Sequence, residues 1–185
     1  MRLRRKLHGL TVNSPAGAAA RDYFSLFQIE PAFAIDQARL QSAYHTLLTQ
    51  FHPDRFAGKS QAEQRAAAQL CADINSGYRI LSDEVTRAEY LLKRAGVDLR
   101  LAEREGVGSE FLMEQIMLRE RLDALSASDA ESANTLLTEI NERFAVAQTE
   151  FASAADSESW ATAARHWQEL CYLAKLIEAA HLRGI

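Results

Sequence analysis

Apolar residues recur along most of the chain at the three- and four-residue spacing of a helix, in segments separated by short polar breaks. Leu40, Tyr44, Leu47, Leu48 and Phe51 share one face of a helix predicted from about Asp36 to Phe51. Leu70, Ile74, Tyr78 and Leu81 do the same for a helix opened by Ser60-Gln61-Ala62-Glu63, a capping-box signature. Upstream, Tyr23-Phe24-Ser25-Leu26-Phe27 predicts one or two helical turns led by Asp22 as N-cap, and the residue before Pro31 disfavours their continuation. A short helix from about Asp83 to Ala95 follows. Two helices with matching apolar stripes and a short loop make an antiparallel hairpin. Its loop, PDRFAGKS, is forced to the exposed tip.

Residues 96–108, GVDLRLAEREGVG, are bounded by glycines, carry mixed charge and read as a linker. Three longer helical patterns follow, at 109–126, 129–155 and 157–183. In the middle one Ala133, Leu137, Ile140, Phe144, Ala147, Phe151 and Ala154 alternate by four and three, as in helices packed side by side. Ser128-Asp129-Ala130-Glu131 reads as its capping box. On the last pattern Trp160, Ala163, Trp167, Leu170, Ala174 and Ile177 form the core stripe, leaving Tyr172 and Leu176 on another side. On the first, Phe111, Leu118, Leu122 and Leu125 suit the core. Leu112, Met113, Ile116 and Met117 spread over a different sector, interleaved with Glu120 and Asp123. That sector is either a wide core face or an exposed apolar patch edged by acid, the composition of a protein-docking site. No strand pattern occurs. The expectation is an all-α chain with a domain at 22–95, a linker at 96–108 and a three-helix bundle at 109–185.

Composition agrees: three prolines and eight glycines in 185 residues leave the helices uninterrupted. The net charge of −4 is unevenly spread. Residues 1–60 hold eight Lys/Arg against four Asp/Glu, and residues 61–185 hold thirteen against twenty-one. A weakly basic front and an acidic back disfavour nucleic acid and fit protein partners. No apolar run is long enough to span a membrane. Cys71 and Cys171 sit inside helical patterns, as two small core residues rather than a disulfide or zinc framework. Residues 1–21 contain five Lys/Arg and no acid. They read as a disordered or processed tail, with a misplaced start codon and an organelle transit peptide as alternatives.

His52-Pro53-Asp54 interrupts the hairpin, because Pro53 pushes His52 out of the α region. As a metal site the tripeptide supplies two ligands and no partner set. As a catalytic pair it lacks a nearby nucleophile or phosphate-binding glycine loop. As a recognition tip it makes physical sense. Proline fixes the backbone, so an imidazole and a carboxylate are presented at little ordering cost, and the carboxylate suits a partner's arginine.

These residues carry a resemblance. A short first helix, a hairpin tipped by His52-Pro53-Asp54, then Ile74-Asn75, Tyr78, Leu81-Ser82-Asp83 and Arg87-Ala88-Glu89-Tyr90 resemble a J domain over residues 22–95. DYFSLF, FHPDRF, SQAEQRAA, RAEYLL and FLMEQIMLRERLD extend the likeness over 22–185 to the HscB family, the J proteins of iron–sulfur cluster biogenesis. The resemblance implies a co-chaperone that activates the ATPase of an HscA/DnaK-type chaperone and takes an IscU-type scaffold protein as client. It implies no catalytic activity, metal or cofactor of its own, and no nucleic acid or membrane partner. The default expectation for its setting is the bacterial cytoplasm, or the mitochondrial matrix if residues 1–21 are a transit peptide. Chaperone binding is expected at His52, Pro53, Asp54, Arg39, Arg55 and Lys59. Scaffold binding is expected at Leu112, Ile116, Glu120 and Tyr172. J domains commonly show a basic outer face on the second helix; here only Arg39 is charged there, so docking is expected to be less salt-sensitive. Met117 and Ala124 stand where relatives carry acids, making this patch more apolar. Two rivals remain: a general J protein that binds many apolar peptides, and a metal-dependent enzyme using His52 and Asp54.

Overall fold

The computed structural model describes residues 22–125 and 129–183, so the tail at 1–21 lies outside the described residues. The described residues are helical, without a strand, and form two compact units divided between Arg87 and Ala88. In the first are α1 (Tyr23–Phe27), α2 (Gln37–Phe51), a 3-10 turn (Pro53–Phe56) and α3 (Gln61–Ser82); α4 (Glu84–Arg94) begins there. The second holds α5 (Leu99–Glu105), α6 (Ser109–Ala124), α7 (Ala130–Asp156) and α8 (Trp160–Leu182).

In the first unit α2 and α3 run antiparallel. Gln37 reaches the Ser82 carbonyl at one end, Tyr44 stacks on Tyr78 and donates to Asn75 Oδ1 midway, and the Cys71 thiol donates to the Phe51 carbonyl at the other. The predicted stripes face this seam: Leu40, Leu70, Ile74 and Leu81 are buried, and Tyr44, Leu47, Leu48, Phe51 and Tyr78 half-buried. Helix α1 lays Phe24 and Phe27 into the core and crosses α3 at Gly77. A Cβ there would stand 2.7 Å from Tyr23 Cδ1 and 2.9 Å from Phe27 Cε2, so the crossing needs glycine. After α1 the chain turns through Gln28 in the left-handed region (φ 56°), and the Ile29 N–H closes on the Phe24 carbonyl. Asp22 holds the N-cap position, but its carboxylate accepts from the Ser25 hydroxyl rather than from a backbone N–H.

Arg87 is buried and bonded to the main chain. Its guanidinium donates to the Phe33 carbonyl at 2.7 Å and the Leu81 carbonyl at 2.6 Å, and lies 5.2 Å from the Phe33 ring centroid. Leu81 is among the last carbonyls of α3, which have no acceptor role inside the helix, so the arginine completes that end. Burial pushes its pKa down, against the pull of Glu84 and Asp83.

In the second unit α7 and α8 form the main pair, and both α5 and α6 pack on α8. Leu136, Ile140, Phe151, Leu170 and Leu173 fill the seam, with Leu118 and Leu122 from α6. Having three neighbours, α8 buries more than one stripe. Leu176, expected on the outer side with Tyr172, is therefore buried, while Ala174 and Ile177 are only half-buried. Residues 96–108, expected as a linker, contain α5, capped by Asp98 accepting from the N–H groups of Arg100 and Leu101. The buried Gln168 amide donates to the Ala102 carbonyl at 2.7 Å and holds α5 against α8. Ser128, expected to cap α7, lies outside the described residues; Asp129 takes the cap and accepts from Ser132 N–H.

Candidate functional site

At the hairpin tip the backbone is closed by local hydrogen bonds. His52 sits at φ −56°, ψ 133°, the extended shape a following proline imposes, and ends α2 while starting the 3-10 turn. Arg55 N–H donates to His52 O, Ala57 N–H to Asp54 O and Lys59 N–H to Phe56 O. The Gln64 amide reaches the carbonyls of Ala57 and Lys59, and Ser60 with Glu63 forms the capping box that opens α3. Those Ser60 hydrogen bonds hold the Glu63 carboxyl below the usual carboxylate range. Phe56 is buried and pins the turn. On this rigid base the side chains of His52 and Asp54 stand 56% and 89% exposed, 3.5 Å apart. His52 Nδ1 accepts from the Asp54 N–H at 3.4 Å.

Five of the six expected chaperone-binding residues, His52, Pro53, Asp54, Arg55 and Lys59, cluster at this end, all exposed. Arg39 does not. It lies in the first turn of α2, roughly 20 Å away along the helix axis. Its guanidinium donates to the Gln28 carbonyl at 2.8 Å, bracing the left-handed turn after α1. Arg55 likewise donates to the Thr49 carbonyl at 3.1 Å, one of the open carbonyls at the end of α2. Cys71 is buried, its thiol pKa raised by burial, and its hydrogen stays on the Phe51 carbonyl. Among the described residues no group of three or more His, Cys, Asp or Glu is placed to hold a metal ion.

A second surface lies in the other unit. Leu112, Met113, Ile116 and Met117 of α6 are 42, 60, 52 and 54% exposed, and Tyr172 of α8 is 40% exposed. Glu120 continues the Leu112–Ile116 row by one turn and is exposed. The Tyr172 ring centroid is 6.3 Å from that of Phe111, which links the two helices. Lys175, not anticipated from sequence, places Nζ 5.7 Å from the Tyr172 ring centroid. The expected set of Leu112, Ile116, Glu120 and Tyr172 thus falls on α6 and its neighbour α8, and Met113 and Met117 beside it are the most exposed large apolar residues of α6.

What holds α6 in place is partly ionic. Glu139 of α7 accepts from Arg121 of α6 at 2.7 Å and from Arg143 at 2.7 Å, and Arg143 also donates to Glu114 of α6 at 2.6 Å. Arg121 beside Glu139 holds its carboxyl below the usual carboxylate range, with Arg143 adding to the effect. At the far end Arg183 donates to the Leu122 carbonyl at 2.6 Å and pairs with Asp123 at 2.5 Å, and it is the main cause of that carboxyl's lowered pKa.

Comparison with known proteins places both parts of the chain in one lineage. A family model described as DnaJ domain matches residues 22–90, and one described as HSCB C-terminal oligomerisation domain matches residues 107–181. A co-chaperone protein HscB of Proteus mirabilis is 40% identical over 162 residues, covering 85% of this chain and 92% of the relative. The chain belongs to the HscB family of J-domain co-chaperones. A co-chaperone protein HscB homolog of Neisseria meningitidis is 45% identical over 121 residues, 65% of this chain and 73% of the relative. Chaperone HscB from Vibrio cholerae superposes with a TM-score of 0.78 at 30% identity, covering 87% of this chain and 96% of that one. The crystal structure of human co-chaperone protein HscB gives 0.84 at 26% identity, covering 92% and 85%. The hairpin tipped by His52-Pro53-Asp54 lies within the region that matches a DnaJ domain, and a J domain implies an Hsp70-type chaperone as partner.

Proposed function

We propose that this HscB-family chain is an adaptor of iron–sulfur cluster biogenesis that binds an IscU-type scaffold protein and delivers it to an HscA-type chaperone, whose ATP hydrolysis it stimulates. The observation that carries the reading is the apolar surface on α6. Four large apolar side chains and a tyrosine stand 40–60% exposed beside Glu120, where a chain with no partner would gain by burying them. Leu112, Ile116 and Tyr172 supply the apolar contact, and Glu120 a charged edge that sets register.

The tip supplies the second contact. Pro53 fixes the backbone, Asp54 offers a carboxylate to an arginine of the chaperone, and His52 offers its outward ring edge. Arg55 and Lys59 add positive charge beside them, and Arg39 acts by bracing the turn after α1. The chain performs no chemistry of its own in this reading. One polypeptide holds both partners and so raises the client's effective concentration at the chaperone. The bacterial relatives support the cytoplasm as its place of work. The test is steady-state ATP hydrolysis by an HscA-type chaperone with this protein and the scaffold added singly and together. The expected outcome is synergy that the Leu112→Ala/Ile116→Ala variant weakens without losing scaffold-independent stimulation. Equal stimulation with and without scaffold would contradict the client assignment.

A further inference from the structure

The chain contains three methionines, and apart from Met1 they are Met113 and Met117. Both lie on α6, four residues apart, at 60% and 54% exposure. A methionine kept only for packing belongs in the core, as Leu118 and Leu122 of the same helix do. Here both thioethers stand open to solvent on the face assigned to the client. A thioether differs from Leu or Ile in one chemical respect: an oxidant turns it from apolar to strongly polar without breaking the chain.

We propose that Met113 and Met117 are an oxidation site that governs client docking: a peroxide converts them to sulfoxides, and the modified face releases the scaffold while the chaperone-facing tip is unaffected. This rests on the scaffold-docking reading above. A sulfur lone pair attacks one peroxide oxygen; the S–O bond forms as the O–O bond breaks. Sulfur is oxidised by two electrons, and hydrogen peroxide, reduced by the same two, leaves as water after a proton passes between its oxygens. The reaction needs access to the sulfur and no catalytic group, and α6 gives that access. The product oxygen is a hydrogen-bond acceptor set among Leu112 and Ile116, which have no donor to offer, so covering it with a partner is costly. Among the described residues the remaining sulfurs are less open. Cys71 is buried with its thiol bonded to Phe51 O, and Cys171 is half-buried. Bound scaffold covers the two thioethers, so docking and oxidation exclude one another.

The experiment treats the full chain with hydrogen peroxide, maps the added oxygens by peptide mass, and compares scaffold affinity and scaffold-independent ATPase stimulation before and after. Affinity is expected to fall about tenfold or more, with stimulation retained. A thiol reductant should leave the loss in place, and methionine sulfoxide reductase should reverse it. Saturating scaffold should slow oxidation of both residues. For Met113→Leu/Met117→Leu the ratio of affinities before and after peroxide should stay near one. Undiminished affinity in a chain carrying both sulfoxides overturns the proposal and leaves the docking reading standing. So does an equal loss in the double variant, which would move the effect to Cys171. An untreated chain with no affinity for the scaffold overturns both.

Discussion

Asp54 shows how a side chain is made available without loosening the fold. Its carboxylate is almost wholly in solvent, while its own N–H and C=O are both bonded within the turn. Asp54→Asn keeps the shape and removes the charge, so it tests recognition apart from stability. Stimulation of the chaperone ATPase should fall at least about tenfold, since a charge-assisted pair is replaced by a weaker one. Scaffold affinity and the circular dichroism spectrum should stay as they are. Gly77 poses the opposite case. Alanine is the better helix former by about 1 kcal/mol, yet its methyl would press on Tyr23 and Phe27. Gly77→Ala should therefore cost about 1–3 kcal/mol, read by urea unfolding under circular dichroism. Both residues differ in how far sequence alone exposes their role. His52-Pro53-Asp54 declares itself through proline's effect on its neighbour, a local rule. Arg39 and Arg87 do not, because their partners are the carbonyls of Gln28, Phe33 and Leu81, and carbonyls leave no mark in a sequence.

Helix α6 is held less by its core than α7 or α8. It buries Leu118 and Leu122 and turns Leu112, Met113, Ile116 and Met117 outward, so the Glu139 network and the Arg183 clasp carry much of its placement. Glu139 and Asp123 have depressed pKa values in the folded chain, so the unfolded chain takes up protons first as pH falls. Their contribution is whole above the ordinary carboxylate range, near pH 4, and disappears as pH drops through the folded values. The urea midpoint of this unit should be level above about pH 5 and decline below about 4. Glu139→Gln should lower the unfolding free energy of this unit by about 1 kcal/mol at neutral pH and flatten the decline. Both tryptophans, Trp160 and Trp167, belong to this unit, so their fluorescence reports it separately. The stripes of α2 and α3 were legible because the two face each other along one antiparallel seam, whereas on α7 Leu136 is buried and the expected Leu137 only half-buried. Leu176 was misplaced because α8 meets α5, α6 and α7, and one-face reasoning undercounts such a helix. Helix α5 was missed because seven charged-rich residues between glycines lack a full stripe; Asp98 ahead of Leu99 was the available signal.

At the scale of the molecule, the proposed function puts two docking surfaces on one chain, and the benefit of that link depends on stoichiometry. As this protein is titrated into fixed chaperone and scaffold, the scaffold-dependent part of ATP hydrolysis should rise, peak and fall. In excess, separate copies occupy the two partners and the link is lost; a plateau in place of the fall would show that tethering contributes nothing. The two surfaces also share a property of their main chain. Amides at the tip are spent on His52, Asp54 and Phe56 carbonyls, and those of α6 beyond its first turn on the helix itself. A partner arriving at either place meets side chains over a backbone that has few hydrogen bonds left to give. Amide hydrogen exchange would therefore register these complexes faintly, and carbodiimide labelling of Asp54 or carboxyl footprinting at Glu120 would see what exchange overlooks.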